Sequence, residues 1–151
     1  MDLQTILLAT DFSECARAAF QTAKNLGQPF RSKIILLHVI DDRRVAILAE
    51  HLQVEPETLI PKLRERAQEK LQNFIKQCDP DNLPIESMVT VGVPFQQIAV
   101  LARDLAVDLV VLGGYGNRGQ APLEEVFFGS TAEKVVRLLP CPVLCVPLGK
   151  E

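Results

Sequence analysis

The chain is poor in the residues that build metal centres and disulfide frameworks. Its 151 residues include two histidines, four cysteines and no tryptophan. The cysteines, Cys15, Cys78, Cys141 and Cys145, form no C-x-x-C pair, which argues against a structural zinc site. Cysteines of cytosolic proteins usually act as small buried hydrophobic residues. We therefore expect Cys141 and Cys145, which lie on the last predicted strand, to be buried.

Neither a strong charge excess nor a long hydrophobic run is present. The formal net charge is -3 and no stretch is rich in Lys and Arg, which argues against a nucleic-acid partner. The N-terminal stretch MDLQTILLATDF lacks the basic region and the length of a signal peptide. No apolar stretch approaches the roughly 20 residues of a membrane span. We expect a cytoplasmic protein without nucleic-acid or membrane partners.

Apolar residues, by contrast, make up 48% of the chain, enough for the core of one domain over residues 1–151. Short apolar runs predict strands at 4–10, 33–40, 84–91, 108–113 and 141–147. Amphipathic segments between them predict helices at 13–26, 57–78, 94–105 and 130–139. Residues 41–56 are ambiguous, although RRVAILAEHL could form a short helix. The alternation predicts an α/β fold, a single doubly wound domain with a parallel sheet and helices on both faces.

The helix patterns also make predictions about individual residues. Ser13 is expected to cap the first helix, and Pro61 is expected in the first turn of the long third segment. The inner faces are predicted to hold Ala16, Ala19, Phe20, Ala23 and Leu26 in the first helix, and Ile98, Leu101, Ala102 and Leu105 in the helix that Pro94 opens.

A ligand site in such a sheet forms beyond the carboxyl ends of the strands, where the strand order reverses. The segments there are ATDFS, HVIDD and GGYGNRG. Asp11 could accept hydrogen bonds from ribose hydroxyls, or could be an ordinary turn residue. His38 is expected to be a buried, hydrogen-bonded strand residue rather than a catalyst, and Asp41 and Asp42 a solvated turn.

Five of the eight glycines fall in the segment 113–131, GGYGNRGQAPLEEVFFGST, between a buried strand and a helix. Glycines let backbone N–H groups approach phosphate oxygens, and the helix adds its positive N-terminal end. The competing interpretation is a flexible connection before a capped helix. Ser130 and Glu133 form a capping box that would use the same N–H groups.

Other nucleotide folds lack their motifs here. No glycine precedes Lys-Ser/Thr, so there is no P-loop. ATDFSE carries neither the Gly-rich turn of a Rossmann fold nor the Ser-Gly-Gly loop of an ATP pyrophosphatase. No Ser/His/Asp, Cys/His or paired-carboxylate set emerges, so no catalytic residues are predicted.

Four separated segments carry a more specific pattern: ILLATDFSECARAA, LLHVI, VGVPFQQIAVLARDLAVDLVVLG and FFGSTAEKVVRLLPCPVLCVP. In this order they resemble the universal stress protein family over essentially the whole chain. The resemblance implies the adenine nucleotide alpha hydrolase-like fold, a five-stranded parallel sheet with strand order 3-2-1-4-5. It also implies bound ATP, with Mg²⁺ held through the phosphates, and a homodimer formed through the strand 141–147.

The resemblance assigns each part of the nucleotide to residues of this chain. Asp11 would hold the ribose or adenine side, and the backbone of Val39 would meet the adenine. The Gly-rich loop and Gly129-Ser130-Thr131 would hold the phosphates. The implied nucleotide-binding set is Thr10, Asp11, Val39, Leu112, Gly113, Gly116, Gly119, Gly129, Ser130 and Thr131.

ATP-binding family members carry G-x-x-G, nine residues, then G-[ST], and this sequence fits that motif in two registers. Twelve residues separate the pair Gly113 and Gly116 from Gly129, three more than the family's nine. Nine residues separate the pair Gly116 and Gly119 from Gly129. Because hydrophobic burial anchors the strand end, we favour Gly113 as the first turn glycine, with a three-residue insertion. Gly116 and Gly119 would then both approach phosphate.

The leading hypothesis is a cytosolic ATP-binding universal stress protein with a regulatory role and at most weak ATPase activity, because no positioned base is visible. An alternative is a protein-interaction module of the same fold that does not bind ATP. The three-residue insertion in the Gly-rich loop is the reason for considering it. A third hypothesis is a slow nucleotide hydrolase with Asp11 as its base. A lone carboxylate without an orienting partner makes a poor catalytic site.

Overall fold

The chain folds into one parallel sheet with helices on both faces, as seen in a computed structural model that describes residues 2–78, 82–114, 130–138 and 141–147. The elements are β1 (Thr5–Ala9), α1 (Glu14–Gly27), a 3₁₀ turn (Gln28–Phe30), β2 (Lys33–Asp41), α2 (Asp42–Leu52), α3 (Pro56–Cys78), β3 (Ile85–Gly92), α4 (Pro94–Asp104), β4 (Leu109–Gly113), α5 (Ser130–Leu138) and β5 (Val143–Val146). The strand order is β3-β2-β1-β4-β5, and every neighbouring pair is parallel. The predicted doubly wound fold and its 3-2-1-4-5 order are confirmed.

Both faces of the sheet are buried, which is why its central strands are continuous apolar runs. Successive side chains point to opposite faces. On one face, Leu8 packs with Phe20 in the layer of α1 and α3. On the other face, Leu7 packs with Ile98 of α4 and Val135 of α5. The helices α1 and α3 therefore cover one face, and α4 and α5 cover the other, as in a doubly wound fold.

The helices begin at capping residues close to the predicted positions. Ser13 caps α1, because its side-chain oxygen accepts a hydrogen bond from the N–H of Ala16 at 3.2 Å. Pro94 occupies the first turn of α4. The ambiguous segment forms α2, and Asp41 is its N-cap, accepting from the N–H of Arg43 at 3.0 Å. Asp41 and Asp42 are therefore a helix start and not the solvated turn that we expected.

Three predictions about helix residues are wrong. Pro61 is the sixth residue of α3, beyond its first turn, because the helix begins earlier, at Pro56. Leu26 is 38% exposed, since Gly27 takes the inward position in the last turn of α1. Leu105 is 42% exposed because it is the C-cap of α4, where the helical periodicity has ended.

The last strand is shorter and more exposed than its apolar sequence predicts. β5 spans Val143–Val146, within the predicted 141–147, and all four of its residues are half-buried. Cys141 and Cys145 are also only half-buried, so the expectation that they are buried is wrong. The reason is topological, because β5 lies at the edge of the sheet next to β4. In the described ranges, no helix has both the length and the apolar character needed to cross a membrane.

Candidate functional site

The strand order reverses between β1 and β4, which makes the carboxyl ends of these strands the expected place for a ligand. The connection after β1 leads to α1 on one face, and α5 lies on the other face. The structure brings Thr10, Asp11, Val39, Leu112 and Gly113 to this end of the sheet.

The turn after β1 is held by hydrogen bonds in an uncommon backbone conformation. Thr10 is buried, its N–H donates to the carbonyl oxygen of Leu37 at 2.8 Å, and its Oγ1 accepts from the N–H of Phe12 at 3.0 Å. Phe12 has a φ of 65°, in the left-handed region that aromatic residues rarely adopt. Such a conformation costs of order 1–3 kcal/mol and persists only where the surroundings enforce it.

Asp11 has one carboxylate oxygen engaged in this turn and one available. Its Oδ1 accepts from the N–H of Ser13 at 3.0 Å, which is the ordinary turn role considered above. Its Oδ2 accepts no hydrogen bond from the residues that the structure describes, and the side chain is partly exposed. The turn therefore leaves one acceptor of Asp11 available at the carboxyl end of β1.

His38 lies beside this turn at the end of β2. Its Nδ1 is 2.9 Å from the carbonyl oxygen of Thr10, and its ring centroid is 4.6 Å from that of Phe12. Burial lowers the pKa of His38 below its ordinary value, the hydrogen bond to Thr10 raises it, and the charge of Lys70 lowers it further. His38 is hydrogen-bonded and lies on a strand as predicted, but it is half-buried and not buried.

Val39 lies where β2 extends beyond β1. The last paired residues of these strands are Ala9 and Leu37, and β2 continues to Asp41. On its other side Val39 pairs with Thr90 of β3. The buried hydroxyl of Thr90 has no hydrogen-bond partner in the described part of the chain. A buried, unpaired hydroxyl of this kind costs free energy unless a water or ligand meets it.

The end of β4 is packed tightly against α1. Leu112 is 4% exposed, and Gly113 is the last residue of the strand, paired with Val146. A Cβ on Gly113 would lie 2.9 Å from the backbone of Cys15. The N–H of Gly114 still donates to the carbonyl oxygen of Val146 at 2.9 Å, so the strand pairing runs through Gly113.

The predicted phosphate-binding residues are only partly within the described structure. Gly116, Gly119 and Gly129 lie outside the described residues. Ser130 begins α5, and Thr131 is partly exposed in the first turn of that helix. The predicted capping box involves the side chain of Ser130, which lies outside the described side chains; Oε1 of its other member, Glu133, accepts from Arg137 at 3.0 Å, one turn further along.

Two features of the site escaped the sequence analysis, namely the left-handed conformation of Phe12 and the unpaired hydroxyl of Thr90. Neither has a local sequence signal, because both depend on neighbours from other elements. In the described ranges, no group of three or more His, Cys, Asp or Glu residues comes together as a metal site.

Comparisons with known proteins agree with this geometry. The model of the universal stress protein family matches residues 3–147. Universal stress protein MJ0577 of Methanocaldococcus jannaschii is 32% identical over an alignment of 153 residues, gaps included. The alignment covers 93% of this chain and 93% of that protein. The solved structure of the hypothetical protein MJ0577 has a TM-score of 0.82 at 31% identity, and the match covers 100% of both chains.

Two more distant solved structures share the fold. A universal stress protein in complex with cAMP has a TM-score of 0.67 at 21% identity, covering 99% of this chain and 100% of that chain. The universal stress protein from Archaeoglobus fulgidus in complex with dAMP has a TM-score of 0.66 at 19% identity, covering 97% and 99%. With the family match and the relative at 32% identity, the conclusion is plain: the chain belongs to the universal stress protein family.

Proposed function

We propose that this protein binds an adenine nucleotide, specifically ATP, at the carboxyl ends of β1, β2 and β4, and acts as a cytoplasmic regulatory module. The observation that carries the proposal is the available Oδ2 of Asp11 at the reversal of strand order. The cAMP and dAMP complexes of two proteins with this fold support the ligand class. The preference for ATP rests on the family's glycine motif in the sequence.

Asp11 is proposed to bind the ribose. Its Oδ1 is fixed by the N–H of Ser13, so the carboxylate is oriented before a ligand arrives. The free Oδ2 can accept a hydrogen bond from a ribose hydroxyl, and hydrogen bonds to charged groups contribute about 1.5–3 kcal/mol. Preorganisation of this kind lowers the cost of binding.

Val39 is proposed to meet the adenine through its backbone. The carbonyl oxygen of Leu37 accepts from Thr10, so the peptide groups of Leu37 face β1. Peptide groups alternate in direction along a strand, so those of Val39 face the same side, beyond Ala9, the last β1 residue that pairs with β2. A donor and an acceptor side by side match the edge of an adenine ring.

The phosphates are proposed to bind the Gly-rich segment and the start of α5. Gly113, Gly116, Gly119 and Gly129 supply backbone N–H groups in this proposal, and Ser130 and Thr131 lie at a helix N-terminus that favours anions. We expect a divalent ion to bind mainly through phosphate oxygens, as Mg²⁺ usually does with nucleotides. The proposed role is binding, with at most weak ATP hydrolysis.

A homodimer through β5 is part of the proposal, and a comparison of the two edges of the sheet favours β5 over β3 as the edge that pairs. At the β3 edge, Nη1 of Arg64 donates to the carbonyl oxygen of Val89 at 3.0 Å. A side chain of α3 therefore already occupies an edge acceptor. β5 is apolar and only four residues long, and an exposed edge of this kind favours pairing with another chain.

The nucleotide proposal is tested by mass spectrometry of small molecules released from the denatured purified protein, followed by calorimetry with ATP and Mg²⁺. We expect an adenine nucleotide, or a saturable heat of binding to the nucleotide-free protein. No released nucleotide and no heat at millimolar ATP would contradict the proposal and favour an interaction module without a nucleotide. Steady ATP turnover that Asp11→Ala abolishes would instead favour a hydrolase.

A further inference from the structure

We propose that His38 is a positioning residue of this site: its hydrogen bond to the Thr10 carbonyl and its ring contact with Phe12 hold the turn that presents Asp11. His38 itself need not touch the nucleotide. Its consequence for nucleotide affinity rests on the function proposed above, whereas its effect on the turn can be measured without any nucleotide.

The hydrogen bond acts on the peptide group that leads into Asp11. The N–H of Thr10 is fixed by Leu37 at 2.8 Å, which sets the peptide before Thr10. The carbonyl of Thr10 belongs to the next peptide, between Thr10 and Asp11, and its described partner is Nδ1 of His38 at 2.9 Å. His38 therefore fixes the plane from which the Asp11 side chain departs.

The ring contact acts on the strained residue of the turn. Phe12 has a φ of 65°, and its side chain is enclosed by rings from two other elements. The centroid of His38 lies at 4.6 Å with an interplanar angle of 37°, and that of Phe74 of α3 at 5.9 Å in an edge-on contact. The Nζ of Lys70 lies 5.8 Å from the Phe12 centroid. These contacts oppose relaxation of the backbone to an ordinary conformation.

The geometry also defines the tautomer of His38. A carbonyl oxygen can only accept, so Nδ1 must carry the proton and donate to Thr10. Burial favours the neutral imidazole, whose Nε2 is then an acceptor. Nitrogen-15 NMR of the wild-type protein should show the Nδ1–H tautomer near neutral pH. Protonation on Nε2 would overturn the proposal without any variant.

Two substitutions separate the hydrogen bond from the ring contact. His38→Phe keeps a ring against Phe12 and removes the donor. His38→Asn removes the ring but keeps a donor, because its amide nitrogen is separated from the backbone by the same number of covalent bonds as Nδ1 of histidine. His51, a histidine exposed on α2, provides the control His51→Asn.

We expect His38→Phe to weaken ATP binding about three- to tenfold, the usual worth of one hydrogen bond, and His38→Asn to restore most of it. Calorimetry with ATP and Mg²⁺ provides the measurement. Wild-type affinity in His38→Phe would overturn the proposal. An equal loss in both variants would contradict the larger share assigned here to the hydrogen bond, because losing the ring would then cost as much as losing the donor. His51→Asn should bind as the wild type does.

Hydrogen exchange of the nucleotide-free protein tests the turn itself. The amides of Phe12 and Ser13 donate inside the turn, so His38→Phe should speed their exchange while Leu7 in the buried strand β1 keeps its protection. Unchanged exchange at Phe12 and Ser13 would overturn the positioning role. If the wild type binds no nucleotide, the proposed function fails. Hydrogen exchange at Phe12 and Ser13 and nitrogen-15 NMR of His38 still test whether His38 holds the turn.

Discussion

Gly113 has no room for a side chain against Cys15 at the reversal of strand order. A Cβ built on Gly113 would lie 2.9 Å from both the carbonyl carbon and the Cβ of Cys15. Contacts this short force neighbouring atoms to move, and Cys15 lies in the first turn of α1, where it is 2% exposed. Glycine at the end of β4 therefore lets the start of α1 approach the strand, next to the turn that holds Asp11.

Gly113→Ala is expected to destabilise the fold by about 1–3 kcal/mol, the usual cost of overpacking a tight site. Urea unfolding followed by circular dichroism measures this. Gly27→Ala is the comparison, because the nearest atoms to its added Cβ are side-chain atoms of Ser32 and Ile6 at 3.0–3.3 Å, slightly farther away than Cys15 is from Gly113. It should cost less, since alanine also favours the helix. An unchanged midpoint in Gly113→Ala would mean that α1 retreats from β4 at no cost.

The core of the fold is predictable because strands buried on both faces must be continuous apolar runs. Each such run became a strand, and the spacing between them predicted the helices. The predictions failed at helix ends, as Leu26, Leu105 and Pro61 demonstrate. There the helical period no longer determines which side faces the sheet. The exposure of Cys145 followed from its edge position, which local sequence does not encode.

The position of Asp11 in the fold was predictable, and the contacts around it were less so. Asp11 follows a buried strand, so the general rule for parallel sheets located it correctly at the carboxyl edge. The conformation of Phe12 was not predictable, because it depends on His38 and Phe74, which come from elements far along the chain. Long-range packing, rather than local preference, determines how the turn presents its carboxylate.

Asp11→Ala is expected to weaken ATP binding at least tenfold, because it removes the free Oδ2 acceptor and the Oδ1 contact that orients the turn. Asp11→Asn keeps an acceptor for the N–H of Ser13 and should lose less. Calorimetry with ATP and Mg²⁺ compares the two with Asp104→Asn, an exposed carboxylate at the C-terminal end of α4. Equal affinity in Asp11→Ala and Asp104→Asn would place the ribose elsewhere.

Stability should fall in mildly acidic solution through His38. Its folded pKa lies below the ordinary 6.5 because burial and then Lys70 disfavour the imidazolium, against the opposing hydrogen bond to Thr10 and the charge of Asp11. Below pH 6.5 the unfolded chain takes up a proton that the folded chain resists, so the free energy of unfolding decreases until the folded pKa is passed. Above pH 6.5 this contribution is fully present.

Urea unfolding from about pH 7.5 to about pH 5 measures this effect in the wild type and in His38→Asn. The carboxylates titrate in both proteins, so the difference between the two curves isolates the histidine. We expect the wild type to lose more stability than the variant as the pH falls. Parallel curves would show that His38 titrates alike in the folded and unfolded states.

The β5 edge can be blocked without breaking its pairing to β4. The carbonyl oxygens of Pro142 and Val146 accept from Val110 and Gly114, so those residues face β4. By alternation, the peptide groups of Cys145 face the open edge. Cys145→Pro removes that outward N–H, which edge strands tolerate, and should convert the proposed dimer to a monomer with unchanged circular dichroism. Cys145→Val keeps the N–H and should remain dimeric. Sedimentation velocity distinguishes the two, and a dimeric Cys145→Pro variant would mean that the subunits meet through another surface.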